Sequence, residues 1–192
     1  LAHQAWQDGF YDDIVTSVPE VVLPRDEGIR SDTTPEKLAA LKPSFRPDGT
    51  ITAGNASPLN DGASALLMGS ELAATKIGGD PIARIAGRGA AALEPPMFGY
   101  APVAAAGIAL RRAGITWRKV GAVELNEAFA VQSLVCIDAW GVDLEMVNTQ
   151  GGAIAIGHPL GASGGRILGT LTKVLRKGGY RWGVAAICIG VG

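Results

Sequence analysis

Residues 151–165 read Gly151-Gly-Ala-Ile-Ala-Ile-Gly-His-Pro-Leu-Gly-Ala-Ser-Gly-Gly165 and place six glycines around His158, one of two histidines in the chain. Glycines at this density let the backbone turn sharply and let another molecule approach closely. A helix is predicted to follow over Gly161–Lys177, and the free N–H groups at a helix start attract anions. The stretch therefore predicts an imidazole presented beside an anion site, although a structural histidine in a glycine-rich loop fits the same residues.

Helical and strand-like segments alternate outward from this stretch. The helical pattern predicts helices near Pro35–Leu41, Asp61–Lys76, Pro102–Ala113, Ala128–Trp140 and Gly161–Lys177. Short apolar runs predict strands at Ile82–Gly87, Ala122–Leu125 and Val184–Ile189. This alternation is typical of an α/β fold with a mixed, mainly parallel sheet covered by helices on both faces.

Composition narrows the class of protein. The chain has 192 residues, of which 47% are hydrophobic and 18% charged, enough for one domain or a domain plus an appendage. A net charge of −1 gives no electrostatic argument for binding nucleic acid or an anionic membrane. Two cysteines far apart, Cys136 and Cys188, predict neither a disulfide framework nor a zinc site.

Three further segments carry polar or nucleophilic groups at the ends of predicted elements. Asn126 follows the strand in Val123–Ala130, where ligands collect in open α/β sheets, but an asparagine there also suits a helix cap. Cys188 ends the apolar run Val184–Gly190, where it is either a functional thiol or an inert core residue. Thr52–Gly62 is a Gly/Asn/Ser-rich turn, which in a structural role would cap a helix through Asp61.

These segments together resemble the thiolase family, the acetyl-CoA acetyltransferases and 3-ketoacyl-CoA thiolases. The similarity extends over essentially the whole chain. Its catalytic blocks, in order, are Asn126-Glu-Ala-Phe129, Gly157-His-Pro159 and Cys188-Ile-Gly190. Thr52–Gly62 resembles the family's Thr-Ala-Gly-Asn-Ala-Ser block, and Arg25–Thr34 and Leu41–Phe45 resemble its loop domain.

The resemblance implies a domain organisation. Residues 1–50 would be part of the loop domain, and residues 51–192 a C-terminal βαβαβαββ thiolase domain whose closing strand is missing. Thiolases have two such halves, and the nucleophilic cysteine lies in the N-terminal half, which this sequence does not contain. We therefore expect the chain to be a fragment that is inactive alone.

The resemblance also implies catalytic roles for His158, Cys188, Asn126 and Gly190. In thiolysis of a 3-ketoacyl-CoA, or the reverse Claisen condensation, His158 would take the proton of the missing nucleophilic cysteine. Cys188 would protonate or deprotonate the α-carbon of acetyl-CoA. Asn126 would hold a water that forms one oxyanion hole with His158, and the Gly190 N–H would belong to the other.

Coenzyme A would be a substrate, so no metal or redox cofactor is expected. Ser57 resembles a pantetheine contact, Arg30 a residue near the adenine nucleotide, and Ala128 and Phe129 the lining of the pantetheine tunnel. Phe98 would border the acyl pocket. It lies where short-chain biosynthetic thiolases have a Met-Gly-containing segment, and Pro58 replaces a common glycine, so the acyl-chain preference stays open.

Two alternatives remain beside a thiolase acyltransferase. The first is a ketoacyl synthase, a related condensing enzyme that often uses His/His or His/Asn partners. The Cys188-Ile-Gly190 block argues against it. A non-catalytic CoA-binding or assembly subunit of the same fold is the second. The expected partners are acyl-CoA, CoA, the N-terminal thiolase half and a homodimer or homotetramer, without nucleic acid or membrane. The expected location is cytoplasmic, unless an organelle address precedes the sequence.

Overall fold

The computed structural model describes residues 1–20, 23 and 25–190, so Val191 and Gly192 after the Cys188 block lie outside the described residues. Strand β1 (Ala122–Leu125) pairs in parallel with β2 (Gly183–Ala186), in a register that sets Ala122 opposite Gly183. A single parallel bridge from Val123 to Val147 extends the sheet beyond β1. The predicted strands at Ala122–Leu125 and Val184–Ile189 are confirmed, although the second ends at Ala186.

Helices cover both faces of this sheet. The bounds of the helices are α1 Ala2–Gln7, α2 Pro35–Ala39, α3 Glu71–Ile77, α4 Ala101–Ala113, α5 Ala130–Trp140, α6 Ala153–Ile156 and α7 Leu160–Gly178. Short 3₁₀ turns lie at Pro95–Tyr100, Trp117–Lys119 and Leu144–Met146. No helix among the described residues combines the length and the apolar character that crossing a membrane requires.

Alternate residues of β1 face opposite layers, as the two-residue repeat of a strand dictates. Val123 and Leu125 pack with Leu110 of α4 and Trp140 of α5 in one buried cluster. Ala122 packs with Leu171 and Val174 of α7 and with Phe10 and Tyr11 after α1 in another. The mainly parallel sheet between two helical layers is therefore confirmed.

The longer helices end where their glycines predict. Gly114, Gly141 and Gly179 follow α4, α5 and α7 in the left-handed conformation, with φ of 68°, 63° and 65°. Pro102 lies in the first turn of α4, where its missing N–H costs nothing. The predicted helices at Pro102–Ala113, Ala128–Trp140 and Gly161–Lys177 are confirmed within one or two residues at each end.

The predicted helix Asp61–Lys76 is wrong over its first ten residues. Only α3 is helical there, with Ser70 at its N-cap, so Asp61 caps no helix. Residues 61–70 are all exposed, and the side chains of Leu66 and Leu67 are 44% and 86% exposed. The segment instead lies against α7, where Ser64 Oγ donates to the Ala162 carbonyl oxygen at 2.8 Å, so its contact is with another element and not within a helix of its own.

The predicted strand Ile82–Gly87 is also wrong, because the described residues there form no ladder with a neighbouring strand. The segment instead runs along α4. A Cβ on Gly87 would lie 2.3 Å from the Ala109 carbonyl oxygen, and one on Gly89 would lie 1.9 Å from that of Ala105. Arg112 of α4 donates to the Arg88 carbonyl oxygen at 2.7 Å. Glycine here permits the close contact of backbone with helix.

Candidate functional site

Asn126 and Cys188 leave the sheet at the carboxyl ends of neighbouring strands. Asn126 follows β1 directly, and its backbone N–H donates to the Ala186 carbonyl oxygen at the end of β2 at 2.9 Å. Cys188 follows two residues later. Their side chains are almost entirely enclosed, at 1% and 7% exposure. The sheet therefore delivers an amide and a thiol to one edge, as the carboxyl ends of parallel strands do in open α/β sheets.

His158 reaches this edge from the connection between α6 and α7. Its Nε2 lies 3.2 Å from Asn126 Nδ2, and its Nδ1 lies 2.7 Å from Ser163 Oγ in the first turn of α7. Its backbone N–H donates to Asn60 Oδ1 at 3.3 Å. The imidazole is thus held at both ring nitrogens, and the backbone of the same residue is held at its N–H.

Asn126 is not a helix cap. The N-cap of α5 is Phe129, three residues later, and the Asn126 side chain turns to His158 instead. The capping alternative is therefore wrong. The backbone is still extended at Phe129, so α5 begins three residues too late for Asn126 to cap it.

Burial shifts the proton affinities of the site in opposite senses. Burial, and secondly the nearby Arg166 guanidinium, lower the pKa of His158 below 6.5, so the imidazole is mostly neutral at pH 7. Burial raises the pKa of the Cys188 thiol above 9.0, so it keeps its proton. A neutral imidazole accepts a proton, and a protonated thiol donates one.

Glu127 ties the end of β1 to the segment that carries His158. Its Oε1 accepts from Asn148 Nδ2 at 2.7 Å, and its Oε2 accepts from the Ile154 N–H of α6 at 3.1 Å. A Cβ on Gly152 would occupy the place of the Glu127 carboxylate, so a larger residue at position 152 would push that carboxylate away from its two hydrogen-bond donors. Gly157, with φ 93°, then turns the chain into His158.

Sequence reasoning missed Ser163, Arg166 and Glu124. Arg166 of α7 donates to the Gly157 carbonyl oxygen at 2.5 Å and to Asn126 Oδ1 at 3.4 Å. Glu124, 4% exposed in β1, has its pKa raised to about 8 by burial, which Arg166 partly opposes. The sequence held two signals for these residues. Glu124 is a single charge inside a buried strand, and Arg166 is a single arginine among the small residues at the start of α7.

Two protein-family models match the chain. The model for the thiolase C-terminal domain matches residues 79–192, and that for the thiolase N-terminal domain matches residues 1–72. The chain belongs to the thiolase family.

Similar proteins are thiolases of about twice this length. A 3-ketoacyl-CoA thiolase from Pectobacterium carotovorum is 46% identical over all of this chain and 52% of its own length. One from Yersinia enterocolitica is 48% identical over 87% of this chain and 44% of its own length. The chain therefore spans about half the length of these relatives.

Solved structures show the same fold. The acetyl-CoA acetyltransferase of Bacillus anthracis superimposes with a TM-score of 0.92 at 39% identity, over all of this chain and 50% of that one. The human mitochondrial 3-ketoacyl-CoA thiolase in complex with CoA gives 0.90 at 37%, over all of this chain and 49% of that one. The expected thiolase fold is confirmed. The boundary near residue 50 stays a prediction.

Three of the residues expected to contact CoA lie together in this thiolase chain. The Ser57 N–H donates to the Ala128 carbonyl oxygen at 3.0 Å, and Ala56 forms an antiparallel bridge with Phe129. The Phe129 ring meets Phe45 edge-on at 6.3 Å between centroids. The Thr52–Gly62 turn therefore packs on the residues that follow Asn126.

The remaining expected site residues are more dispersed. Arg30 is exposed, and Phe98 is half-buried in the 3₁₀ turn Pro95–Tyr100. The contacts described for the chain join neither of them to the Ser57–Phe129 group. Gly190 is half-buried, two residues after Cys188. Within the described ranges, no three histidine, cysteine or carboxylate side chains gather as a metal site would require.

Proposed function

We propose that the protein carrying this chain is a thiolase that cleaves 3-ketoacyl-CoA with free CoA or runs the reverse Claisen condensation. The observation that carries the proposal is the 3.2 Å approach of Asn126 Nδ2 to His158 Nε2, beside the strand end that bears Cys188. An amide beside an imidazole with a lowered pKa supplies both a base and a donor for a developing oxyanion. The family relationship gives this pair its substrate class.

In the first step, His158 Nε2 takes the thiol proton of a nucleophilic cysteine, and the thiolate attacks the ketone carbon of the bound 3-ketoacyl-CoA. The carbon–carbon bond breaks, the acyl group stays on the cysteine, and acetyl-CoA leaves as a carbanion that Cys188 protonates. A free CoA thiol then gives its proton to the Cys188 thiolate and removes the acyl group as a new thioester, and the proton on His158 returns to the released cysteine sulfur. Asn126 with His158, and the N–H of Gly190, would bind the oxyanions.

The nucleophile of this scheme is not among residues 1–192. The chain holds two cysteines, and Cys136 is the other. Cys136 is fully buried in α5, where its sulfur donates to the Gly99 carbonyl oxygen at 3.4 Å. Burial raises its pKa, the opposite of what a nucleophile needs. We therefore propose that residues 1–192 supply the base and the acid, and that they are inactive without a nucleophile from elsewhere.

CoA would lie along the Ser57–Phe129 group, with its nucleotide end towards Arg30 and its acyl group towards Phe98. The CoA complex of the human relative supports this class of ligand. One face of α5 is apolar and exposed. It consists of Val131, Leu134 and Val135, which are 54%, 54% and 41% exposed. We propose that this face is covered by the N-terminal thiolase half or by a second subunit.

Paired assays on the intact protein test the proposal. Thiolysis of acetoacetyl-CoA by CoA gives the overall rate, labelled acetyl transfer from acetyl-CoA reports on the nucleophile, and α-proton exchange of acetyl-CoA reports on Cys188. His158→Gln should slow acetyl transfer and exchange alike, by about 10²-fold or more. Cys188→Ser should leave acetyl transfer measurable and abolish exchange.

His3→Gln is a matched control, because it changes the chain's other histidine, which makes none of the contacts described for the site. Normal exchange in Cys188→Ser would remove the acid role from that residue. CoA binding by an intact protein that shows no turnover would instead favour the non-catalytic CoA-binding subunit.

A further inference from the structure

We propose that Arg166 is a positioning residue that fixes which nitrogen of His158 carries the proton. This inference deepens the proposed thiolase function and rests on it for its meaning in catalysis. Its physical argument concerns four side chains, and it holds whatever the substrate is.

The Arg166 guanidinium has only one possible role in a hydrogen bond. A guanidinium has five N–H donors and no acceptor, so whatever it contacts must accept. Arg166 reaches Asn126 Oδ1 at 3.4 Å with one nitrogen and the Gly157 carbonyl oxygen at 2.5 Å with another. Turning the Asn126 amide over would aim its NH₂ group at the cation, donor against donor, in a site that is 1% exposed.

The amide orientation determines the next contact. With Oδ1 towards Arg166, Asn126 presents Nδ2 to His158 Nε2 at 3.2 Å, and Nδ2 only donates. Nε2 must therefore be the unprotonated nitrogen of the neutral ring. Its proton lies on Nδ1, which donates to Ser163 Oγ at 2.7 Å.

The last contact agrees with this direction. Ser163 is fully buried, and its hydroxyl donates to the Pro159 carbonyl oxygen at 3.0 Å, which leaves its lone pairs for His158 Nδ1. Every bond from Arg166 to Pro159 therefore points the same way. The chain leaves Nε2, the nitrogen on the Asn126 side, as the only place where a neutral His158 can take up a proton.

Arg166 also holds the backbone at the start of the same path. Its contact to the Gly157 carbonyl oxygen fixes the residue before His158, so one cation sets both the ring's position and its tautomer. Lysine keeps the charge, but its single ammonium is not a planar fork that serves two acceptors.

The test is nitrogen NMR of His158 in the intact protein, assigned with His158→Gln and combined with steady-state kinetics. In the wild type we expect neutral His158 to show a protonated Nδ1 and a bare Nε2. Arg166→Met should give a mixture of the two tautomers and lower kcat about tenfold or more, with little change in KM for CoA. Arg166→Lys, which keeps the charge beside Glu124, should recover part of both readouts. Arg176→Lys changes an exposed arginine of the same helix and should alter neither.

A folded Arg166→Met or Arg166→Lys protein that keeps the wild-type tautomer and kcat would overturn the proposal, and the lysine variant decides if the methionine variant does not fold. The tautomer is read without substrate. An inactive wild type with the expected tautomer shifts would therefore refute the proposed function and leave the role of Arg166 standing.

Discussion

Replacing Asn126 by aspartate should reverse the protonation behaviour of His158. The change is nearly isosteric, but it places a carboxylate oxygen about where Nδ2 now lies, 3.2 Å from His158 Nε2. It also neutralises the field of Arg166, which contributes to the low pKa of His158 in the wild type. Both effects favour the imidazolium. An opposite charge at this distance shifts a pKa by about 1–3 units, or about 1.4–4 kcal/mol.

The pKa of His158 should therefore move from below 6.5 to above it. Once the pKa of His158 exceeds the pH, more than half of the imidazole is protonated and cannot act as a base. The linkage to stability changes sign as well. In the wild type, His158 destabilises the fold as the pH falls below its pKa in the unfolded chain. In the variant, His158 stabilises the fold fully below that unfolded-state pKa, and this stabilisation is lost as the pH rises through the pKa of the folded state.

An NMR titration of the His158 ring, with thermal unfolding at several pH values, measures both effects in the intact protein. Asn60→Asp is the matched control. Asn60 contacts the backbone N–H of His158 but is exposed, so solvent screens the new charge and the pKa should move far less. A His158 pKa at or below 6.5 in the Asn126→Asp protein would refute the arrangement of ring and amide described above.

Three other substitutions test the support of the site, each read by unfolding of the intact protein. Glu124→Gln should remove a pH dependence: the folded pKa of Glu124 is raised from 4.5 to about 8, so its protonated form stabilises the fold at low pH and this is lost as the pH rises between those values. The stability of the variant relative to the wild type should therefore increase in alkaline solution. Equal dependence of stability on pH in the two proteins would contradict the raised pKa of Glu124. Gly152→Ala should cost about 1–3 kcal/mol, because its Cβ would displace the Glu127 carboxylate from Asn148 and Ile154, and an unchanged melting temperature would show that those bonds do not stabilise the fold. Leu125→Ala should cost about 2–5 kcal/mol, because the side chain is 1% exposed between β1 and the α4–α5 layer, and a much smaller loss would show that the core refills the space.

Elements whose partners lie within this chain were predictable from the sequence. The glycines at 114, 141 and 179 mark helix ends because only glycine adopts the left-handed cap without strain. The apolar run at Ala122–Leu125 forms a strand because β2 lies beside it, and α7 supplies the layer that covers both. For these elements, local pattern and tertiary contact agree.

The two failures share a physical cause. The apolar pattern of Asp61–Lys76 predicts a helix, but residues 61–70 make their contact with α7 through Ser64, and Leu66 and Leu67 are left exposed. Ile82–Gly87 has strand character, but a strand exists only through the ladder it shares with a neighbour. Sequence pattern reports what a segment prefers, and it is silent on whether the preferred partner is within reach.

The site was predictable in its residues but not in its connections. Their positions in the sequence made Asn126, His158 and Cys188 candidates and the family resemblance implied their roles, which stay predictions, while the structure brings Asn126 and His158 into contact. The contacts made by Ser163 and Arg166 depend on how α7 crosses the end of β1. No spacing in the sequence reveals that crossing, because 40 positions separate Arg166 from Asn126.

The Ser163–Pro159 contact makes the path beyond His158 a dead end for protons. A carbonyl oxygen accepts a hydrogen bond but cannot release a proton onward at neutral pH, so nothing that enters the ring at Nε2 can exit through Nδ1 and Ser163. His158 can therefore take up and release a proton at Nε2, but it cannot pass a proton on through Nδ1. In the proposed reaction, a proton that His158 takes up at Nε2 must therefore leave again from Nε2, and it cannot pass through Ser163 to the far side of the ring.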